Sequence, residues 1–183
     1  MNSGIIGVIH KAYEAAPDPL YAKRRQAFAA AGLQCWGAYA FFHGSDHGGN
    51  PITEADKFLA AAEPDANTLL ALDWETDEDG YVPSLDDAKA FLGRIEEKLG
   101  RTAIVYSGNV AKEKISGIDD YIGSHRLWLA EYNKSWFVQE SWLAPWLWQN
   151  SETSTIPGID GLCDGNVIVD PMAVEDLIEQ WSG

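Results

Sequence analysis

The chain has 183 residues, 46% of them hydrophobic, and 13 basic against 28 acidic side chains, for a formal net charge of −15. That length suits one globular domain spanning residues 1–183, and so acidic a surface repels nucleic acid and anionic lipid, so neither is an expected partner. No apolar run approaches the roughly 18–20 residues that cross a bilayer.

The opening stretch, MNSGIIGVIHKAYE, lacks the basic start, apolar centre and cleavage site of a secretion signal, so synthesis in a reducing cytoplasm is expected. Cys35 and Cys163 then read as free, buried thiols, and their spacing fits no metal pattern. Ile5–His10 is a β-branched strand. Asp18 and Pro19 supply a cap and first position for a helix running through Ala31 and stopping at Gly32. Gly37–Phe42 is the next strand, followed by the glycine-rich loop HGSDHGGN. Thr53 and Asp56 resemble a capping box for a helix from Glu54 to Ala62.

Leu69–Glu75 is a strand, and Ser84 with Asp87 caps a helix whose Ala88, Phe91, Leu92, Ile95 and Leu99 share a face up to Gly100. Thr102–Ser107 is a strand, with Asn109 capping a short helical turn. Arg126–Tyr132, Pro145–Ser151 and Gly165–Val169 follow as strands joined mostly by loops. Asp170 and Pro171 open a closing helix with Val174, Leu177, Ile178 and Trp181 as its apolar stripe. This alternation predicts an α/β fold with mainly parallel pairing. No phosphate-cradling glycine motif is present, and a modified TIM-like (β/α) barrel with a strand-rich second half fits best.

The stretch ALDWE carries the chemistry. Alternation puts Leu69, Ala71, Asp73 and Glu75 on one face of their strand and Leu70, Leu72 and Trp74 on the other. In a parallel barrel the first set faces inward, and its acids fall at the strand's C-terminal end, where barrel sites are built. Other strands end alike, in His43, in Tyr106 and Ser107, in Glu131 and Tyr132, and in Gln149 and Asn150. Carboxylates, amides and aromatic rings at one mouth suit a sugar. Two close carboxylates suit glycoside hydrolysis, because each raises the other's pKa and keeps a general acid protonated.

Taken in order, GVIHKAYE, GLQCWGAYAFF, ALDWE, IVYSG, LWLAEYN, WLWQNS and GIDGLCDGNVI resemble glycoside hydrolase family 25, the Chalaropsis-type lysozymes or N-acetylmuramidases that include many phage endolysins. The resemblance implies cleavage of the β-1,4 bond between N-acetylmuramic acid and N-acetylglucosamine in peptidoglycan glycan strands. It implies Glu75 as general acid, Asp73 as the carboxylate assisting the substrate's N-acetyl group, and Asp164 as a third acid of the site. Tyr39, Tyr106, Trp128, Glu131, Tyr132 and Gln149 match cleft-lining positions. No metal or cofactor is implied, and without a signal peptide the protein would reach the wall after release from the cell.

One departure stands out: the family's first strand, G-x-D-x-S with a further acid, has no counterpart before Gly4. A start downstream of the true one, pairing of the open edge with a second subunit, and a natural short form all account for it. A shortened but folded muramidase is the favoured expectation. Its rival is a weakly active or inactive glycan-binding domain; carboxylates holding a divalent cation are a third reading.

Overall fold

The computed structural model describes residues 4–45, 48–157 and 159–183. Its strands are β1 (Gly7–Glu14), β2 (Ala16–Pro17), β3 (Cys35–Phe41), β4 (Leu69–Asp73), β5 (Ile104–Ser107), β6 (Leu127–Ala130), β7 (Leu147–Ser154) and β8 (Cys163–Ile168). Its helices are α1 (Tyr21–Ala30), α2 (Pro51–Ala62), α3 (Leu85–Leu99), α4 (Asn109–Lys114), α5 (Asp120–Gly123) and α6 (Val174–Glu179).

The strands form one sheet in the order β2-β1-β3-β4-β5-β6-β7-β8, curled into a half-barrel. Pairing is parallel from β1 through β7 and antiparallel at both ends, β1 with β2 and β7 with β8. The expected bare edge on the first strand is partly covered. At Ala15, with a φ of 53°, the chain reverses and pairs Tyr13 with Pro17 and Glu14 with Ala16. Pro17 suits this outermost position, where no further strand asks for its missing N–H.

Local signals explain most boundaries. Ser84 accepts the Asp87 amide at α3, whose C-cap is Gly100 at φ 67°. At α2 the expected Thr53–Asp56 box is replaced by Asn50, which accepts from the Thr53 amide ahead of Pro51. Asp56 instead forms two hydrogen bonds with Arg94 of α3, at 2.8 and 2.9 Å. At α1, Asp18 turns back to the Leu20 amide, so the helix begins at Tyr21 rather than beside Pro19.

Alternation along the strands divides the apolar residues into two cores. Leu70, Leu72, Trp74, Val105, Leu127 and Leu129 pack outward with Phe58, Phe91, Leu92 and Ile95 of the helices. Cys35, Leu69, Ala71, Ile104, Tyr106, Trp128 and Leu147 fill the concave side. Cys35 is a buried free thiol as expected, whereas free Cys163 is only half-buried.

The closing helix belongs to this inner core. Leu177 and Trp181 are buried, but Val174 and Ile178 are 39% and 38% exposed, so the expected four-residue stripe is half as wide. The Trp181 indole donates to the Trp36 carbonyl at 2.8 Å, and its ring lies against Gly7 at the start of β1. Thus α6 plugs the end of the half-barrel where the parallel strands begin, leaving the opposite mouth for chemistry. Trp181→Ala is expected to cost about 3–5 kcal/mol, lowering the melting temperature by roughly 10 °C in a calorimetric scan.

Candidate active site

Trp74 explains how two acids come to share one face. Its side chain is fully buried on the helix side and its indole donates to the Pro83 carbonyl at 3.0 Å. Its amide donates to the Tyr106 carbonyl at 2.9 Å, and its own carbonyl accepts from the Ser107 hydroxyl at 2.9 Å. Ser107 also accepts the Ala111 amide at 3.1 Å, tying the end of β4 to α4. With Trp74 anchored outward, its neighbours Asp73 and Glu75 must turn into the concave mouth.

Asp73 is 6% exposed, and its Oδ1 has no hydrogen-bond partner among the described residues. Burial pushes its carboxyl well above the usual carboxylate range, and the Glu75, Glu14 and Asp164 charges push the same way, against Lys11. Burial and then Asp164 raise Glu75. Asp164, on β8, is raised by burial and by Glu152. Both carboxyls therefore keep their protons to higher pH than an isolated carboxylate would.

Aromatic and amide groups surround the acids. Tyr106 and Tyr132 both donate to Gln149 Oε1, at 2.8 and 2.6 Å. The phenols of Tyr39 and Tyr106 are pushed far up by burial, with Asp73 adding to each. Trp128 sits beneath them, with ring centroids 6.5 Å from Tyr39 and 4.4 Å from Tyr106, and its indole donates to Asn166 at 2.7 Å. Asp73, Glu75, Asp164, Tyr39, Tyr106, Tyr132 and Gln149 are thus gathered at one mouth.

Two expected lining residues take other positions. Trp128 is only 5% exposed and serves as floor, packed against the rings of Tyr39 and Tyr106. Glu131 turns the other way: its carboxylate pairs with Lys112 of α4 at 2.7 Å and accepts from the Asn133 amide. Alternation is the cause, because Trp128, Ala130 and Tyr132 share the inward side and Glu131 falls between them. Ser107 is likewise displaced from the mouth, by its bond to Trp74.

Three contributors escaped the sequence reading. Asn166 has the same parity as Asp164 on β8. Lys11 and Glu14 of β1 form an ion pair at 2.5 Å beside Asp73, and Lys11 shares the inward face with Gly7 and Ile9. Two-residue alternation from Gly7 would have flagged Lys11. Among the described residues, no group of three or more His, Cys, Asp or Glu side chains is arranged to hold a metal ion.

A half-barrel with paired carboxylates at the C-terminal strand mouth is the architecture of a glycoside hydrolase. The family model described as glycosyl hydrolases family 25 matches residues 1–159, and the chain belongs to that family. Solved structures agree on the fold. A muramidase from Trichobolus zukalii superposes with a TM-score of 0.82 at 22% identity, covering 98% of this chain and 89% of that one. The bacterial lysozyme from Streptomyces coelicolor gives 0.86 at 19% identity, covering 98% and 88%. The CTP1L endolysin gives 0.74 at 27% identity, covering 97% of this chain and 62% of that one. No curated protein matches the sequence.

The buried acid carries a stability cost with a defined pH dependence. A carboxyl whose folded pKa is raised holds its proton in the folded state after the unfolded chain has lost it. Stability therefore falls as pH rises from the unfolded value of about 4 to the folded value, and the loss is complete above that. Asp73→Asn is expected to raise stability at neutral pH by about 1 kcal/mol, or roughly 2–4 °C in melting temperature. Melting curves at successive pH values should show that advantage shrinking toward pH about 4; a variant less stable than wild type at neutral pH would contradict the penalty.

Proposed function

We propose that the protein is a peptidoglycan N-acetylmuramidase, cleaving the β-1,4 bond between N-acetylmuramic acid and N-acetylglucosamine. The observation that carries the reading is the placement of Asp73, buried, and Glu75, half-buried, together at the strand mouth of a family 25 fold. The substrate is a glycan strand lying across the open mouth, in contact with Tyr132 at its rim.

Glu75, half-buried and raised in pKa, donates its proton to the leaving glycosidic oxygen. Asp73, beside it, orients the muramic acid N-acetyl group so that its carbonyl oxygen attacks the anomeric carbon as the bond to the leaving sugar breaks. Water then opens the resulting ring intermediate, with Glu75 taking back a proton. Asp164 faces the same space and steadies the positive charge that develops on the sugar. Gln149, fixed by two phenols, and Tyr39 set the shape of the pocket around the N-acetyl group.

Glu75→Gln keeps the shape and removes the proton, and should lower kcat by at least about 100-fold. The measurement is release of new reducing ends at muramic acid from purified cell walls. Because burial raises Glu75, wild-type kcat should fall as pH rises through a value above the ordinary glutamate range. Equal activity in wild type and variant, or cuts confined to the peptide stems, would overturn the assignment. Wall binding without fragment release would favour the glycan-binding alternative.

A further inference from the structure

β8 lies four strands from β4 in the curled sheet. The charge of Asp164 on β8 nevertheless acts on both Asp73 and Glu75, so the two strands face each other across the concave space. Asn166 stands two residues past Asp164 and directly opposite Gln149 of β7. Opposed residues of an antiparallel pair project from the same face, which puts Asn166 on the concave side with Gln149. Leu147 and Gln149 are buried there, whereas Asn166 is exposed.

The Asn166 amide has one favoured orientation. Its Oδ1 accepts from the Trp128 indole at 2.7 Å, and an indole N–H can only donate. Turning the amide over would set two donors against each other, so the oxygen is held against Trp128 and the NH2 group is left over. That nitrogen makes no hydrogen bond among the described residues. Gln149 beside it is arranged alike, its Oε1 accepting from Tyr106 and Tyr132 at 2.8 and 2.6 Å. Both side-chain oxygens of this cross-strand pair are therefore taken. What Asn166 offers a ligand is N–H alone.

Such a donor suits an acceptor that carries no proton of its own. A sugar hydroxyl would leave its proton to solvent, because the next acid along β8, Asp164, starts roughly 7 Å away. A carboxylate would enter the negative field of Asp164 and Glu152. A neutral amide carbonyl meets both conditions. The muramic acid carbonyl has to stay free to attack, so the donor serves a different acetamido group. In a β-1,4 glycan, successive sugars turn their substituents to opposite sides of the strand. With the muramic acid acetamido group turned to Asp73 on β4, that of its neighbour turns to the β7–β8 wall. We propose that Asn166 donates to the acetamido carbonyl of the N-acetylglucosamine adjoining the muramic acid, and so selects N-acetylated glycans. The proposal rests on the muramidase reading of the cleft.

The test uses the full chain and two neutral probes, β-1,4 tetramers of N-acetylglucosamine and of glucose, with binding measured by calorimetry. Asn166→Asp keeps the acceptor for Trp128 and removes the donor, whereas Asn166→Ala removes both. Wild type should bind the acetylated tetramer more tightly, and both variants should cut that preference about fivefold. A loss in Asn166→Ala alone would make the residue only a support for Trp128, and an unchanged preference in both would make it a bystander. Equal weakening toward both tetramers would mark a hydroxyl contact. Each of these results overturns the proposal, as does a wild type without preference for the acetylated probe. Cell-wall digestion by wild type is measured alongside. If it releases no reducing ends, the hydrolase reading fails, and the tetramer preference alone decides the role of Asn166.

Discussion

The end of β4 is the constraint on which the site depends. Trp74 is held from three directions, by Pro83, by the Tyr106 carbonyl and by the Ser107 hydroxyl, with its indole sealed under the helices. An extended chain leaves its two neighbours no option but the concave side. The outer core therefore aims the acids: residues that touch no substrate determine where Asp73 and Glu75 point. Loosening Trp74 would let one acid rotate away without any change to the acids themselves.

The same arrangement carries an electrostatic cost. Asp73 is buried near Glu75, with Glu14 and Asp164 adding to the negative field and Lys11 opposing it. A surface of this composition offers little positive charge to relieve it. The cost is tolerable because the rest of the barrel is ordinary packing. Leu69, Ala71 and Ile104 fill the concave side below the acids, and α6 closes the far end with Leu177 and Trp181. Stability comes from one end of the half-barrel and chemistry from the other.

The mouth is asymmetric. On the β5–β7 side, Tyr106, Tyr132 and Gln149 form a closed set of hydrogen bonds over a tryptophan floor, which fixes the shape of the pocket. On the β1–β4 side, the Lys11–Glu14 ion pair lies near Asp73, its two charges acting on that carboxyl in opposite directions.

Patterns that repeat every two or three to four residues were legible in the chain itself. The ALDWE alternation assigned Asp73 and Glu75 to the inner face, the Ser84–Gly100 span fixed α3, and the ordered motifs pointed to the family. Local periodicity determines these because backbone geometry alone decides which side chains share a face. Tertiary packing decided the rest. Trp128 looked like a cleft-lining residue until Tyr39 and Tyr106 packed against it, and Asp56 looked like part of a helix cap until Arg94 of α3 engaged it. In each case the deciding partner lies 15 or more residues away or on another element, and a contact between distant segments leaves no periodic trace in the sequence.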